Sequence, residues 1–243
     1  MYRLLTVMMV MASALLLSGC GGGDGGAASF SSSLKGIWAG TAGNVVTKAI
    51  VLANGEGWFI FGNAQNNAIT FTFCDHVQMT ASNNSFTAQG TQYLLQNGTA
   101  ADATGSGTFV EKTFLTGSLS TSTFTNLVYD SSYEKRAVQS DIGGSWSGAF
   151  GGGASSLTLT VNGTTGQVSG ESSNKCSYGG SAQPRSADPA LFDVNLTETC
   201  LTGTPAELFG IAYTTAGSGT TYVSIVVTTA DRSDVALFVG QKQ

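Results

Sequence analysis

The clearest pattern along the chain is an alternation of apolar and polar residues with a period of two. Residues 156–161 read SLTLTV, residues 192–197 read FDVNLT, and residues 69–73 read ITFTF. Because neighbouring residues of a β-strand point to opposite faces, this period predicts strands that bury one face and expose the other. No segment beyond residue 30 keeps the period of an amphipathic helix. The pattern therefore predicts an all-β protein of antiparallel strands.

The pattern is repeated within the chain. Residues 36–62 align without a gap with residues 144–170, at an offset of 108 positions (146 − 38), and this superimposes Trp38 on Trp146. Tryptophan occurs only 3 times in the chain, so this coincidence carries more weight than the glycines that also match. The alignment predicts a tandem duplication.

Each copy is expected to form an antiparallel sheet that hides its edges. The alignment also superimposes the Asn-Gly pair that begins at Asn54 on the pair that begins at Asn162, and such pairs favour the positive φ angles of tight hairpins. Closing a meander into a small barrel removes its open edges. The sequence therefore predicts two tandem domains, each a β-meander or small β-barrel, at residues 34–137 and 138–243.

The first predicted strand of each copy carries a short glycine-tryptophan motif. It reads GIW at residues 36–38 and GSW at residues 144–146. This G-x-W motif resembles the one on the first strand of calycins, the family of small barrels that includes lipocalins and avidins. The resemblance covers three residues in each copy. It implies that each copy is a barrel whose tryptophan packs across the barrel floor.

The amino terminus has the layout of an export signal. Arg3 precedes an apolar run at residues 4–17, and this run is shorter than the roughly 20 residues that a membrane-spanning helix requires. Residues 17–20 read LSGC and fill every position of the lipobox, so this segment resembles the processing site of bacterial lipoproteins. The resemblance implies a signal peptide at residues 1–19 and a lipidated Cys20. The alternative is an ordinary cleaved signal followed by a chance cysteine.

A lipidated Cys20 implies permanent attachment to a membrane. Its acyl chains, palmitate among them, each contribute about 0.8 kcal/mol per buried CH₂ group to partitioning. Residues 20–33 are rich in glycine and serine, which predicts a flexible tether. In Gram-negative lipoproteins an Asp after the cysteine favours the inner membrane. This chain has Gly21 there, so the resemblance implies the outer membrane of a bacterial envelope, on either its periplasmic or its surface side.

Composition and charge narrow the range of partners. The chain is 42% hydrophobic, which is enough to bury a core, but only 10% of its residues are charged. The net charge is −5 and no basic stripe is present, which argues against a nucleic-acid partner and against electrostatic docking on lipid headgroups. The partners that we expect are membrane lipid at the acylated cysteine, another envelope protein, or a small apolar ligand.

Residues 134–143 (EKRAVQSDIG) join the two copies. A join this short predicts that the two domains touch. Its first three residues are charged and are expected to belong to a solvated linker, with a binding patch as the alternative.

Three cysteines remain when Cys20 is assigned to the lipid. Cys176 and Cys200 flank a predicted strand of the second copy, and a bridge between them closes a loop of about 25 residues, which stabilises the fold by roughly 3.5 kcal/mol in the chain-entropy model. The sequence therefore predicts a Cys176–Cys200 disulfide in the oxidising envelope. Cys74 has no partner in its own copy and is expected to be a buried thiol. A nucleophile or an intermolecular bridge is the alternative.

A search for catalytic chemistry finds no constellation. His76 is the only histidine, so no metal site with two imidazoles is expected, and no metal or cofactor is predicted. Asp75 and His76 are adjacent on a predicted strand and should point to opposite faces, which favours a structural histidine. The sequence lacks a G-x-S-x-G elbow, CxxC, HExxH and a phosphate-binding loop. Carboxylates that could form a hydrolytic pair, although no spacing singles one out, are Asp102, Glu111, Glu171, Asp188, Asp193 and Glu198.

These observations predict a membrane-anchored envelope lipoprotein without enzymatic activity that binds a partner through two β-domains. One alternative is a small-molecule carrier with a cavity inside a barrel, and another is an envelope hydrolase that uses carboxylates. The bulky Phe59, Phe61, Phe71 and Phe73 predict a filled first barrel, while the smaller apolar residues of the second copy predict more room. A purely structural spacer is a third possibility. The sequence identifies no ligand-binding residue.

Overall fold

The alternating segments form two closed eight-stranded β-barrels in tandem, so the prediction of an all-β chain with two similar domains is confirmed. In each barrel every strand pairs antiparallel with the next, and the last strand pairs with the first. The structure is a computed structural model, and the residues that it describes are 32–42, 44–65, 68–151, 155–217 and 219–243.

The strands of the first barrel, barrel 1, are β1 (Gly36–Ala42), β2 (Val45–Val51), β3 (Glu56–Gln65), β4 (Ala68–Ser82), β5 (Ser85–Leu94), β6 (Thr99–Val110), β7 (Phe114–Leu119) and β8 (Ser122–Tyr129). The strands of the second barrel, barrel 2, are β9 (Gly144–Phe150), β10 (Ser155–Val161), β11 (Gln167–Ser172), β12 (Ser177–Pro184), β13 (Leu191–Thr199), β14 (Ala206–Ala216), β15 (Thr221–Thr229) and β16 (Val235–Lys242).

Each barrel begins on a completely buried tryptophan. Trp38 and Trp146 are 0% exposed and belong to the cores of their barrels. Each indole Nε1–H donates to the backbone carbonyl four residues earlier, Trp38 to Leu34 at 3.2 Å and Trp146 to Ile142 at 2.8 Å. Because the N–H is satisfied, the ring is buried without an unpaired donor. The repeat alignment thus identifies equivalent positions in the two barrels.

The two Asn-Gly pairs lie in corresponding turns, but only one adopts the expected backbone. Gly55 has φ 85°, as the hairpin prediction requires. In the turn after β10, the Asn162 carboxamide oxygen accepts hydrogen bonds from two backbone N–H groups that follow it, and the positive φ (71°) falls on Gly166. The expected positive φ at Gly163 is therefore wrong. This turn is longer than a two-residue hairpin loop, and its left-handed residue is the last one, Gly166.

A β-bulge in β4 interrupts the alternation that the sequence predicts for residues 69–73. Phe61 of β3 lies opposite Phe73, whereas the next residue, Gly62, lies opposite Phe71, so one extra residue is inserted in β4. An inserted residue reverses the faces of the side chains beyond it. Phe73 therefore packs against the core of barrel 1, while Phe71 packs against residues outside the barrel. The prediction that both fill the first barrel is wrong for Phe71.

Strand β3 is buried on both faces, and this identifies the contact between the barrels. Phe59 and Phe61 point into barrel 1, whereas Trp58 and Ile60 point outward into a second buried cluster. This inter-barrel cluster comprises Ile37, Ile50, Leu52, Trp58, Ile60, Cys74, Leu95 and Tyr133 together with Leu191, Ile211, Tyr213, Val226 and Leu237. The two domains therefore touch through an apolar interface, as the short join predicts.

A buried carboxylate connects the barrels at one edge of this interface. Asp188 is 0% exposed. Its Oδ1 accepts hydrogen bonds from the backbone N–H of Ala53 at 2.8 Å and from the Tyr133 hydroxyl at 2.7 Å, and its Oδ2 accepts from Arg185 Nε at 2.7 Å. Burial and Asp188 raise the pKa of Tyr133. A residue of barrel 2 thus satisfies donors from barrel 1 and from the linker, so separating the barrels leaves these buried groups unpaired.

The linker contains one turn of 3-10 helix (Ser131–Glu134) and a short helix α1 (Gln139–Ile142). The charged residues 134–136 are exposed, and Glu134 pairs with Lys112 of barrel 1 at 2.9 Å. Within the residues that the structure describes, no helix has the length and apolarity needed to cross a membrane.

Candidate functional site

A half-open cleft of about 410 Å³ lies between the barrels beside the apolar interface. Barrel 1 contributes residues of β3 and β4, and barrel 2 contributes residues of β13, β14 and the ends of β12 and β15. Pockets at domain interfaces are common ligand sites. The residues that line it are Glu56, Trp58, His76, Arg185, Asp193, Val194, Asn195, Phe209, Gly210, Ile211, Thr228, Thr229, Ala230 and Arg232.

The wall on barrel 1 is an aromatic pair held by a carboxylate. Trp58 and His76 are directly opposite on β3 and β4, and their rings stack with centroids 3.8 Å apart and planes 9° from parallel. Glu56 Oε1 accepts a hydrogen bond from Trp58 Nε1 at 3.1 Å and is hydrogen-bonded to His76 Nε2 at 2.9 Å. Burial raises the pKa of Glu56, but the hydrogen bond and charge of His76 outweigh it, so this pKa is lowered overall.

His76 offers the cleft no open nitrogen. Its side chain is 4% exposed, Nε2 is bonded to Glu56, and Nδ1 is buried with no hydrogen-bond partner among the described residues. A general base must reach the proton that it removes within hydrogen-bond distance or through one water. The arrangement therefore favours a histidine that shapes the wall over one that transfers a proton.

The wall on barrel 2 is built around a guanidinium between two carboxylates. Arg185 donates through Nε to Asp188 at 2.7 Å and through Nη1 to Asp193. Burial opposes the charge of Arg185, but Asp193 and Asp188 together outweigh it and raise the pKa of this guanidinium. The Asp193 side chain is 48% exposed and reaches the cleft because it lies on the outward face of β13. Only one of its oxygens is used by Arg185.

A rigid turn between β15 and β16 presents Arg232 to the cleft. Asp231 Oδ1 accepts hydrogen bonds from the hydroxyls of Thr229 and Ser233 and from the Ser233 backbone N–H, and these bonds lower the pKa of Asp231 to about 2. Arg232 has φ 57°, and its carbonyl accepts a 2.9 Å hydrogen bond from the buried Tyr93 hydroxyl of barrel 1. The Arg232 guanidinium forms no ion pair among the described residues.

Asp75, the neighbour of His76, points away from the cleft into barrel 1. It lies opposite Phe59 on β3 and Gln92 on β5, so the prediction that Asp75 and His76 occupy opposite faces is confirmed. Asp75 is 0% exposed, and neither its oxygens nor Gln92 Nε2 has a hydrogen-bond partner within the part of the chain that the structure describes. Burial raises the pKa of Asp75 to about 6, an effect that the nearby Gln92 amide only partly opposes.

A second concavity of about 560 Å³ lies over the linker and one end of barrel 2. Its lining includes the exposed Lys135 and Lys242 and the half-buried Asp141, and it includes no aromatic side chain among the described residues. The inter-barrel cleft combines buried aromatic rings with an unpaired guanidinium, so it is the better candidate for a specific site.

The predicted disulfide is confirmed, and the remaining thiol is buried. Cys176 and Cys200 are bonded to each other, and Cys74 is a free cysteine at 0% exposure in the inter-barrel cluster. Burial raises the pKa of Cys74 well above its usual value, as does the nearby charge of Asp75. A raised pKa and no access to solvent argue against a nucleophile at this position.

The structure brings only two of the six predicted carboxylates together. Asp188 and Asp193 both form ion pairs with Arg185. Glu198 accepts a hydrogen bond from Tyr178, and Glu171 pairs with Lys175 at 3.5 Å. Asp102 and Glu111 are exposed on other strands and turns.

One grouping of metal-ligand types occurs in the described residues, at Cys176, Glu198 and Cys200. The two sulfurs are bonded to each other, so they are unavailable as thiolate ligands in the oxidised chain.

Side chains fill the interior of barrel 2. Barrel 2, which the sequence predicts to be the roomier one, contains a void of about 10 Å³ lined by its core residues. A void of that size is at the lower limit for one water molecule. This volume gives no support to a carrier that holds an organic ligand inside barrel 2.

The predicted lipidation site, Cys20, lies outside the described residues. Sequence reasoning did not identify Glu56, Arg185 or Arg232 as cleft residues. One signal was available for the first wall, because residues 57–61 (GWFIF) are apolar without alternation, which is typical of a strand buried on both faces. In comparisons with known proteins, no family model, no curated protein and no solved structure matches this chain.

Proposed function

We propose that this chain is a lipid-anchored protein of the bacterial envelope whose two barrels act as one binding module without catalytic activity. The observation that carries the binding role is the buried contact between the barrels, which holds two different walls on either side of one cleft. A site between two domains is preorganised when the domains are fixed to each other.

The anchor in this proposal is Cys20, and the LSGC motif at residues 17–20 supports this assignment. The glycine- and serine-rich residues 21–33 allow the barrels to stand away from the lipid surface. An outer-membrane position follows from Gly21. The Cys176–Cys200 bridge fits an oxidising compartment outside the cytoplasm.

The absence of catalysis in this proposal rests on the groups that line the cleft. The imidazole of His76 has one nitrogen bonded and the other buried. The carboxylates of Glu56 and Asp193 are each paired, to His76 and to Arg185. In this proposal such groups position a ligand through hydrogen bonds.

Mass spectrometry of the protein extracted from a bacterial membrane tests the anchor. The full chain should lose residues 1–19 and gain the mass of the attached acyl groups, and it should incorporate a labelled fatty acid. Cys20→Ser should abolish both changes, whereas the matched control Cys74→Ala, which alters a buried thiol, should retain them. A mature chain without lipid, or one recovered wholly in the soluble fraction, would contradict the proposal.

The catalytic alternative has a separate test. If the purified protein turned over a substrate, and if Asp193→Asn or Glu198→Gln abolished that turnover, the binding-only role would be wrong.

A further inference from the structure

We propose that the inter-barrel cleft binds a neutral, hydroxyl-rich ligand, namely a saccharide. This inference rests on the proposed function, in which the cleft is the binding site, and it adds the chemical class of the ligand. Three features of the cleft carry it, namely unused hydrogen-bonding groups of both kinds, an exposed aromatic ring beside them, and a balance of charge.

The cleft offers donors and acceptors that the protein itself does not use. Arg232 supplies a guanidinium with no ion pair among the described residues. Arg185 uses Nε and Nη1 in its ion pairs there, which leaves its Nη2 group for a ligand. Asp193 has one oxygen outside its bond to Arg185, and the exposed Asn195 carries both an amide donor and an amide acceptor. Each sugar hydroxyl both donates and accepts a hydrogen bond, so a saccharide can satisfy groups of both kinds at once.

An exposed aromatic ring adjoins these polar groups. Phe209 is 41% exposed and projects from the outward face of β14, opposite Asn195 on β13. A single exposed phenylalanine is ordinary on a protein surface, but Phe209 lies directly beside the unused polar groups of the cleft. The C–H face of a pyranose ring is apolar and flat, while its edge carries the hydroxyl groups. A sugar ring lying on Phe209 therefore directs its hydroxyls toward the charged groups of the same wall.

The charges that line the cleft favour an uncharged ligand. Glu56 and Asp193 balance Arg185 and Arg232, and the buried Asp188 lies directly behind Arg185. The whole chain carries a net charge of −5. A phosphate or carboxylate would bond Arg232 but would also face Glu56 and Asp193. A cation would face carboxylates that are already paired to His76 and Arg185. A neutral polyol is neither repelled by the carboxylates nor required to compete with their present partners.

The walls are fixed before the ligand arrives. The turn that carries Arg232 is held by internal hydrogen bonds of Thr229 and Asp231 and is docked on barrel 1 through Tyr93. Asp193 is held by Arg185, which Asp188 holds in turn. The backbone of the turn and the Arg185–Asp193 pair are therefore in place before binding, and the side chains of Arg232 and Asn195 are the groups that a ligand would order.

Ligand-observed NMR on the full-length chain tests the proposal. The protein should be kept in a detergent without a sugar headgroup, and the probes should be neutral trisaccharides of glucose, galactose, mannose and N-acetylglucosamine, with glucuronate as the acidic comparison. At least one neutral trisaccharide should bind with a dissociation constant on the order of 1 mM and more tightly than glucuronate. Phe209→Ala and Arg232→Ala should each weaken that binding by about tenfold.

Two matched variants serve as controls. Tyr222→Ala removes an aromatic ring of similar exposure (40%) that does not line the cleft, and Arg136→Ala removes an exposed arginine of the linker. Both should leave the affinity unchanged. The inference is overturned if no neutral probe binds at about 10 mM, if glucuronate binds more tightly, or if the cleft variants behave like the controls. Loss of Cys20 lipidation would refute the anchor but would not alter any of these titrations.

Discussion

Barrel 1 and barrel 2 share one framework but differ in what they bury. Both are eight-stranded meanders that begin on a buried tryptophan. Barrel 1 encloses large phenylalanine rings together with the buried polar side chains of Thr47, Asp75 and Gln92. Barrel 2 encloses mainly leucine, valine and isoleucine, and a disulfide closes one of its ends.

The outer walls of the two barrels differ even more than the interiors. Barrel 1 contributes an aromatic pair to the cleft, Trp58 and His76, and barrel 2 contributes the charged groups, Arg185, Asp193 and Arg232. A closed barrel needs its inward residues for packing, so its outward residues are free to change. A duplicated fold can therefore form a composite site when its two copies face each other with different outer surfaces.

Removing the carboxylate that connects the barrels should cause the largest loss in the free energy of unfolding. Asp188→Ala leaves Arg185 without one partner and leaves the Ala53 N–H and the Tyr133 hydroxyl without an acceptor. We expect a loss of about 3–5 kcal/mol in the free energy of unfolding, because a buried network is left uncompensated. Denaturant titration measures it. Asp102→Ala, at an exposed position, should change stability by less than about 0.5 kcal/mol. Equal effects of the two substitutions would contradict the role of Asp188.

Removing the disulfide should weaken barrel 2 alone. The double substitution Cys176→Ala and Cys200→Ala should cost about 3.5 kcal/mol in the chain-entropy model. Cys74→Ala breaks no bridge and should cost about 1 kcal/mol as a simple core truncation. In the Asp188→Ala background, where the barrels are uncoupled, the loss should appear only in the unfolding of barrel 2. A loss shared equally by both barrels would mean that the bridge acts beyond its own domain.

The buried Asp75 should make the stability of barrel 1 depend on pH. Its pKa is about 6 in the folded state and 3.8 as an ordinary aspartate, so the native state binds the proton more tightly. Stability is therefore highest when this group is protonated, and it falls as the pH rises from about 4 through 6. Asp75→Asn should equal the natural chain near pH 4 and exceed it by about 3 kcal/mol at pH 8.

Denaturant titrations of both chains at several pH values measure this difference. Comparing the two chains at the same pH cancels the contribution of other titrating groups. Glu56 is one of them, and its lowered pKa makes stability rise with pH instead of fall. A difference that stays constant with pH would show that Asp75 does not titrate in this range.

The exposed aromatic residues should have the smallest effect on stability. Phe209→Ala and Tyr222→Ala each remove a ring that is roughly 40% exposed, 41% and 40% respectively. Both should change the free energy of unfolding by less than about 0.5 kcal/mol. Thermal unfolding of the two variants checks this. A large loss for Phe209→Ala would indicate that the ring supports the fold, which would weaken its assignment to a ligand.

Much of the fold follows from local pattern. The alternation at residues 156–161 and 192–197 predicts strands with one buried face, and the structure has them in β10 and β13. The paired tryptophans reveal the duplication because a buried indole requires one particular cavity and one acceptor in each copy. Cys176 and Cys200 could be paired because so few thiols remain in the chain.

The cleft could not be predicted in the same way. Its residues lie on β3, β4, β13, β14 and β15 and in two turns, and they meet only when both barrels are formed and docked. Local periodicity carries no information about which outward faces will meet. The bulge in β4 shows the same limit on a smaller scale, because one inserted residue changed the face of Phe71 without any sign in the ITFTF pattern.

Denaturant unfolding of the full chain, labelled with fluorotryptophan and followed by ¹⁹F NMR, shows whether the two barrels form one cooperative body. The three tryptophans report separately, since Trp38 lies inside barrel 1, Trp146 lies inside barrel 2 and Trp58 lies at their contact. If the barrels form one body, the three native signals will disappear together, and Asp188→Ala will separate the Trp38 and Trp146 transitions. If the signals of the natural chain disappear in two steps, with Trp58 exposed before either barrel unfolds, the barrels are independent and the cleft is not a preformed site.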